Sequence, residues 1–130
     1  HFNLGRRFAD VVDGLSNTLL SSELINVPRY NDKRGMIYYQ VEPTVLFSAE
    51  QPPNTTTADR GYFRINWPKA PAIGGVGANV IYARSLHPGG VVVSTVDGAV
   101  NFVSDYISLD VFRAMGSVDG GDQAGSWSGT

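Results

Sequence analysis

The chain has no cysteine among its 130 residues, which excludes disulfides and thiolate metal sites. That absence does not assign a compartment. Charge is also scarce, with 10 Lys and Arg against 12 Asp and Glu and a formal net charge of -2. Such a surface offers no electrostatic footprint for nucleic acid or an anionic membrane, so neither is expected as a partner. Long apolar runs are missing too. The longest aliphatic run is Val91-Val92-Val93, far short of the about 20 residues that cross a bilayer. Histidine occurs only at His1 and His87, and without clustered ligands no zinc or iron enzyme is expected. With no initial Met and no leader-like segment, the chain reads as a mature product or a fragment.

What is present is a β-leaning globular composition, 42% hydrophobic with 15 glycines and 7 prolines. The expected fold class is α+β, predominantly antiparallel sheet with short helices. A single domain over residues 1–116 is followed by a Gly/Ser/Asp-rich tail at 117–130. Phe8, Val11 and Val12 suggest one helical turn closed by Gly14. Residues 18–25, 36–47, 62–67 and 79–84 read as strands, with Pro43 placing the second at an edge. Residues 51–60, with Pro52, Pro53 and three threonines, read as a long exposed loop. Ser108 is the expected N-cap of a short helix through Leu109, Phe112 and Met115, ended by Gly116. Little room remains for parallel crossovers.

The most telling stretch is Ser85-Leu86-His87-Pro88-Gly89-Gly90, then a valine-rich run, Asp97-Gly98 and a second alternating run. Asp-Gly between strand-like residues signals a hairpin, and a two-residue type I′ turn is its favoured form. That turn pairs Val96 with Ala99 and Val93 with Phe102, giving one apolar face of Val91, Val93, Thr95, Val100 and Phe102. At about 3.4 Å per residue, a six-residue arm puts Asp97 roughly 20 Å from His87's end. The two are therefore not expected to form an acid–base or metal pair. Asp97 reads as a turn former and His87 as a local or cross-strand hydrogen-bonding residue.

Other candidate chemistry is thin. Gly75-Val76-Gly77 lacks the third glycine of a dinucleotide loop, and Trp127 stands where a nucleophile elbow needs serine. Asp13, Asp32, Asp59, Asp105, Asp110, Asp119 and Asp122 are oxygen ligands in expected loops, but none builds an EF-hand. They read first as turn formers and caps, calcium being the one cofactor left open. Tyr38, Tyr39, Tyr62 and Trp67 are candidate ligand-facing aromatics for a sugar, against the plainer role of filling a β-core or an interface. Asn54-Thr55-Thr56 fits the N-glycosylation pattern.

His87, nine residues, then Asp97-Gly98 resembles the C-terminal signature of the prepilin-like DUF1559 family of planctomycete-type bacteria. His87, Gly89, Gly90, Asp97 and Gly98 carry it, in a structural sense. Asp13-Gly14-Leu15-Ser16-Asn17-Thr18 with Glu23, Asp32-Lys33-Arg34-Gly35, Pro53-Asn54 with Asp59, Ala83-Arg84, and Ile107 to Gly116 with Gly120-Gly121 resemble further family segments. Val96 before Asp-Gly, Asp122 in place of glutamate and the missing cysteines depart from the pattern. The resemblance implies the exported globular half of a pilin-like or pseudopilin-like subunit with no established activity. It implies a homo-oligomer or related pilin-like subunits as partners. Membrane association would come only through an N-terminal hydrophobic helix that these residues do not include, and the location would be extracellular or in the cell envelope. The chain is thus expected to be no enzyme. A carbohydrate- or solute-binding module is the alternative, and a hydrolase ranks below it.

Overall fold

The computed structural model describes residues 7–38 and 44–117. A 3-10 turn at Phe8–Asp10 leads to β1 (Leu19–Ser22). The short strands β2 (Asp59–Arg60) and β3 (Ala72–Ile73) follow, then the hairpin β4 (Gly90–Thr95) and β5 (Val100–Ser104), and last the helix α1 (Leu109–Met115). The main sheet is antiparallel in the order β1-β4-β5. The α+β class stands. The expected strand at 18–25 contracts to four residues, and its ladder with β4 is interrupted by a bulge between Leu19 and Ser21.

The hairpin forms where Asp-Gly places it, but its register differs by one residue. Val91 pairs with Val103, Val92 with Phe102 and Val93 with Asn101. Thr95 N–H donates to Ala99 O at 3.0 Å, so Val96, Asp97 and Gly98 form a three-residue loop. Gly98 alone of the three has positive φ, at 88°, which is the type I turn with a left-handed glycine rather than type I′. Asp97 favours this form because its carboxylate accepts from the Thr95 hydroxyl and from Ala99 N–H. Val96 and Asp97 N–H donate to Thr18 and Leu15 carbonyls, anchoring the loop to the turn before β1.

A one-residue slip moves every side chain of a strand to the other face. Val91, Val93 and Val103 therefore face the core, while Val100 and Phe102 lie on the outer face, 69% and 40% exposed. The single apolar face expected of Val91, Val93, Thr95, Val100 and Phe102 does not exist. Gly98→Ala is expected to cost about 1 kcal/mol, since a β-carbon is disfavoured at this φ. A thermal melt would show this as a Tm lower by roughly 3–5 °C.

Helix α1 closes the core from the sheet's inner side. Phe112 and Met115, at helical spacing, are fully buried against Ala83, Val91, Val93 and Val103. Ser108 opens the helix through its carbonyl, which accepts from Phe112 N–H at 2.9 Å, while its side chain makes no capping bond. Gly116 ends it, as expected, and Arg113 pins it to the Glu50 carbonyl.

The middle of the chain departs most from expectation. Residues 62–67 and the described part of 36–47 form no strand, and 79–84 is extended with only single bridges, Val80 to Arg60 and Tyr82 to Ser48. Strands β2 and β3 pair in parallel, against the expectation of little parallel structure. The 51–60 loop is not an exposed one, because Pro53 and Asp59 are buried. Ile25, Val27 and Ala70 form a second small cluster with Trp67 against it. Tyr39, Pro43, His1 and the 118–130 part of the expected tail lie outside the described residues.

Candidate functional site

A buried ionic clasp holds the irregular middle together. Arg34 donates to Asp32 from Nε and Nη2 and to Asp59 from Nη1, with 2.7 Å Nη contacts to each carboxylate. Its remaining donors reach the Ala70 and Ile65 carbonyls. Arg84 shares Asp59, contacting Oδ1 at 3.0 Å, and also donates to the Thr55 and Thr57 carbonyls. All four side chains are no more than 2% exposed. Burial disfavours the Asp32 carboxylate, but Arg34 and the backbone N–H groups of Ile65 and Arg34 outweigh it and hold its pKa below 3.8. Buried charges survive only when paired and hydrogen-bonded on all sides, and here they are. These carboxylates serve the arginines.

Above the clasp lies a cleft of about 650 Å³. Asn54, Arg84, Ser85 and Asp105 form its floor, with Lys69, Leu86 and His87 exposed around it. Asn54 organises the floor from a left-handed backbone (φ 53°), a conformation asparagine tolerates. Its Oδ1 accepts from Ser85 N–H, and its Nδ2 donates to Asp105 Oδ1 and Gly90 O. The amide that a glycan would occupy is thus committed to the fold. The Ser85 hydroxyl donates to Gly90 O at 2.6 Å and accepts from the main-chain N–H of His87.

His87 Nε2 lies 3.1 Å from Glu23 Oε1, while Glu23 Oε2 accepts from Val92 N–H at 2.8 Å. Glu23 thereby fastens the end of β1 to β4 and to the Pro-Gly-Gly turn. Asp97 sits at the opposite end of β4, engaged by Thr95 and Ala99, so the structure does not bring His87 and Asp97 together. Gly89 has φ 84°, and its carbonyl accepts from Asp105 N–H. Glu23→Ala is expected to cost about 1–2 kcal/mol, because the half-buried Val92 N–H loses its partner. The exposed His87→Ala is expected to stay within about 0.5 kcal/mol. Urea denaturation of both variants checks the ranking.

The candidate aromatics are scattered. Tyr38 and Tyr62 are exposed, Trp67 is half-buried with Arg29 over its ring, and none lines the cleft. Among the described residues no group of three or more His, Asp or Glu side chains is placed to hold a metal, and no helix is long and apolar enough to cross a membrane.

The geometry defines a small α+β scaffold in which sequence-distant polar motifs are spent on one another. The chain belongs to the family described as a protein of unknown function (DUF1559), whose model matches residues 1–110. No curated protein and no solved structure matches it.

Proposed function

We propose that this domain is a structural, non-catalytic part of a pilin-like or pseudopilin-like subunit that acts in the cell envelope or outside the cell. The observation that carries the reading is how the polar residues are used. Asp32, Arg34, Asp59 and Arg84 clasp one another, Asn54 and Ser85 tie down the Pro-Gly-Gly turn, and Asp97 caps a hairpin. A hydrolase would need the His87 ring to reach a hydroxyl as well as a carboxylate. The ring has Glu23, but the neighbouring Ser85 hydroxyl gives its proton to a carbonyl and meets only the His87 backbone. The resemblance to prepilin-like proteins supports an envelope location and the expectation that copies or related subunits pack together. Immuno-electron microscopy of the full-length product in its native cell tests this. Label on the envelope or on filaments is expected, and a dispersed soluble product would overturn it.

The cleft favours one second reading, a module that binds a sugar or other small polar solute. Concave sites of this size with a few convergent polar groups are where such ligands bind. Calorimetric titration with sugars, repeated on Lys69→Ala, tests that reading, and no heat from any of them would remove it.

A further inference from the structure

We propose that β5 is a docking edge for a second copy of this chain, the two β5 strands running antiparallel across a two-fold axis at Phe102. Strand β5 is one edge of the main sheet. Thr95 with Ala99, Val93 with Asn101 and Val91 with Val103 face each other across the hairpin, and Asp105 N–H reaches Gly89 O. In an antiparallel ladder the residues between these turn their backbone groups the other way. Val100, Phe102 and Ser104 therefore present N–H groups along the open edge, and no described residue bonds them.

Natural sheets blunt such edges with proline, lysine, inward charge or a bulge. The opposite edge, β1, follows the rule with its bulge between Leu19 and Ser21. Strand β5, Val-Asn-Phe-Val-Ser, has a continuous ladder and none of these devices. It carries its exposed apolar side chains, Val100 at 69% and Phe102 at 40%, on the face away from the core.

The sequence of this edge is complementary to itself. With Phe102 opposite Phe102, Val100 falls opposite Ser104 in both directions, so the two Phe102 backbones meet in a reciprocal pair and each Ser104 N–H meets a Val100 carbonyl, while the Ser104 carbonyl is already held by Ile107 N–H at 3.1 Å. No charge lies within Val100–Ser104, and the flanking Asp105 falls opposite Ala99, so like charges never oppose each other. Each Phe102 ring leans back over β4, resting where Gly90 has no side chain, and so leaves the backbone of the edge open to a partner. The product is a six-stranded sheet shared by two copies, built by strand addition.

This deepens the assembly reading by naming one contact, yet the two fail separately. A dimer from a product that is not in the envelope would leave this proposal standing. An envelope subunit with no β5 contact would remove only this one.

Sedimentation and oxidative cross-linking on the 130-residue chain test it. The natural absence of cysteine makes single-cysteine variants unambiguous. Hydrogen-bonded antiparallel partners sit about 5.5 Å apart at Cα, inside the roughly 4.4–6.8 Å range of a disulfide. Phe102→Cys is therefore expected to cross-link to itself. Val100→Cys is not, because in this register the two copies of residue 100 lie about 14 Å apart. The exposed Val100→Lys, with an unchanged circular dichroism spectrum, is expected to weaken self-association at least about tenfold by placing charge on the edge. A wild-type chain that stays monomeric to its solubility limit, or cross-linking at residue 100 but not 102, would overturn the proposal.

Discussion

Asp59→Ala should remove about 3–5 kcal/mol of stability, a large part of the roughly 5–15 kcal/mol that holds a domain of this kind. The alanine leaves two guanidinium groups, Arg34 and Arg84, buried without their shared carboxylate. Arg34 cannot reach water without opening the segments around it, and Arg84, on the floor of the cleft, is only 2% exposed. The expected readout is a urea midpoint far below wild type, and a loss under about 1 kcal/mol would show that the clasp relaxes. Acid should act on the same network through Asp32. Its folded pKa lies below the ordinary 3.8, so its contribution is complete above that value and is lost as pH falls through the depressed one. Asp32→Asn should therefore be less stable than wild type at neutral pH and should lose less on acidification. Denaturation series at several pH values check both parts.

Gly90→Ala is the second large effect. An added β-carbon there would lie 2.2 Å from Val103 O and 2.7 Å from the Phe102 ring. The ring can turn, but the carbonyl belongs to the β4–β5 ladder and cannot move without breaking it. The cost expected is about 3 kcal/mol, the upper part of the range for overpacking. Gly89→Ala meets no atom within 4 Å and is strained only by its φ, so it should be milder. Thermal melts of the two adjacent variants separate a steric requirement from a conformational one.

The hairpin and the closing helix were legible because each depends on local signals. Asp-Gly needs only its own φ values, and Phe112 and Met115 need only helical spacing. The register was not, because Asp-Gly suits both a two-residue and a three-residue loop. What decides between them is Asp97 bonding Thr95 within the loop together with the loop amides reaching Leu15 and Thr18, and those last contacts are made at long range. The strand expected at 62–67 failed for a related reason. Aromatic and β-branched residues mark extended backbone, but there the Ile65 carbonyl accepts from Arg34 and the Ile65 N–H donates to Asp32, side-chain partners in place of a neighbouring strand. Of the candidate site, Asp97 as a turn former was readable. Arg34, Arg84 and Glu23 carried no such mark, since a buried arginine has the same letter as an exposed one. Only the resemblance to family segments drew attention to them.

Arg34 and Arg84 stand among the few basic residues of the chain, and both are buried in its network of bonds. Trypsin cuts after arginine only when several residues on either side can lie extended in its groove. Loops with so little regular ladder would ordinarily breathe one at a time and offer such stretches readily. Here the guanidinium of one segment is fastened to the carbonyls of the others, so no segment can peel away alone. A digest should therefore trim this domain at its surface while leaving Arg34 and Arg84 uncut until the whole molecule opens.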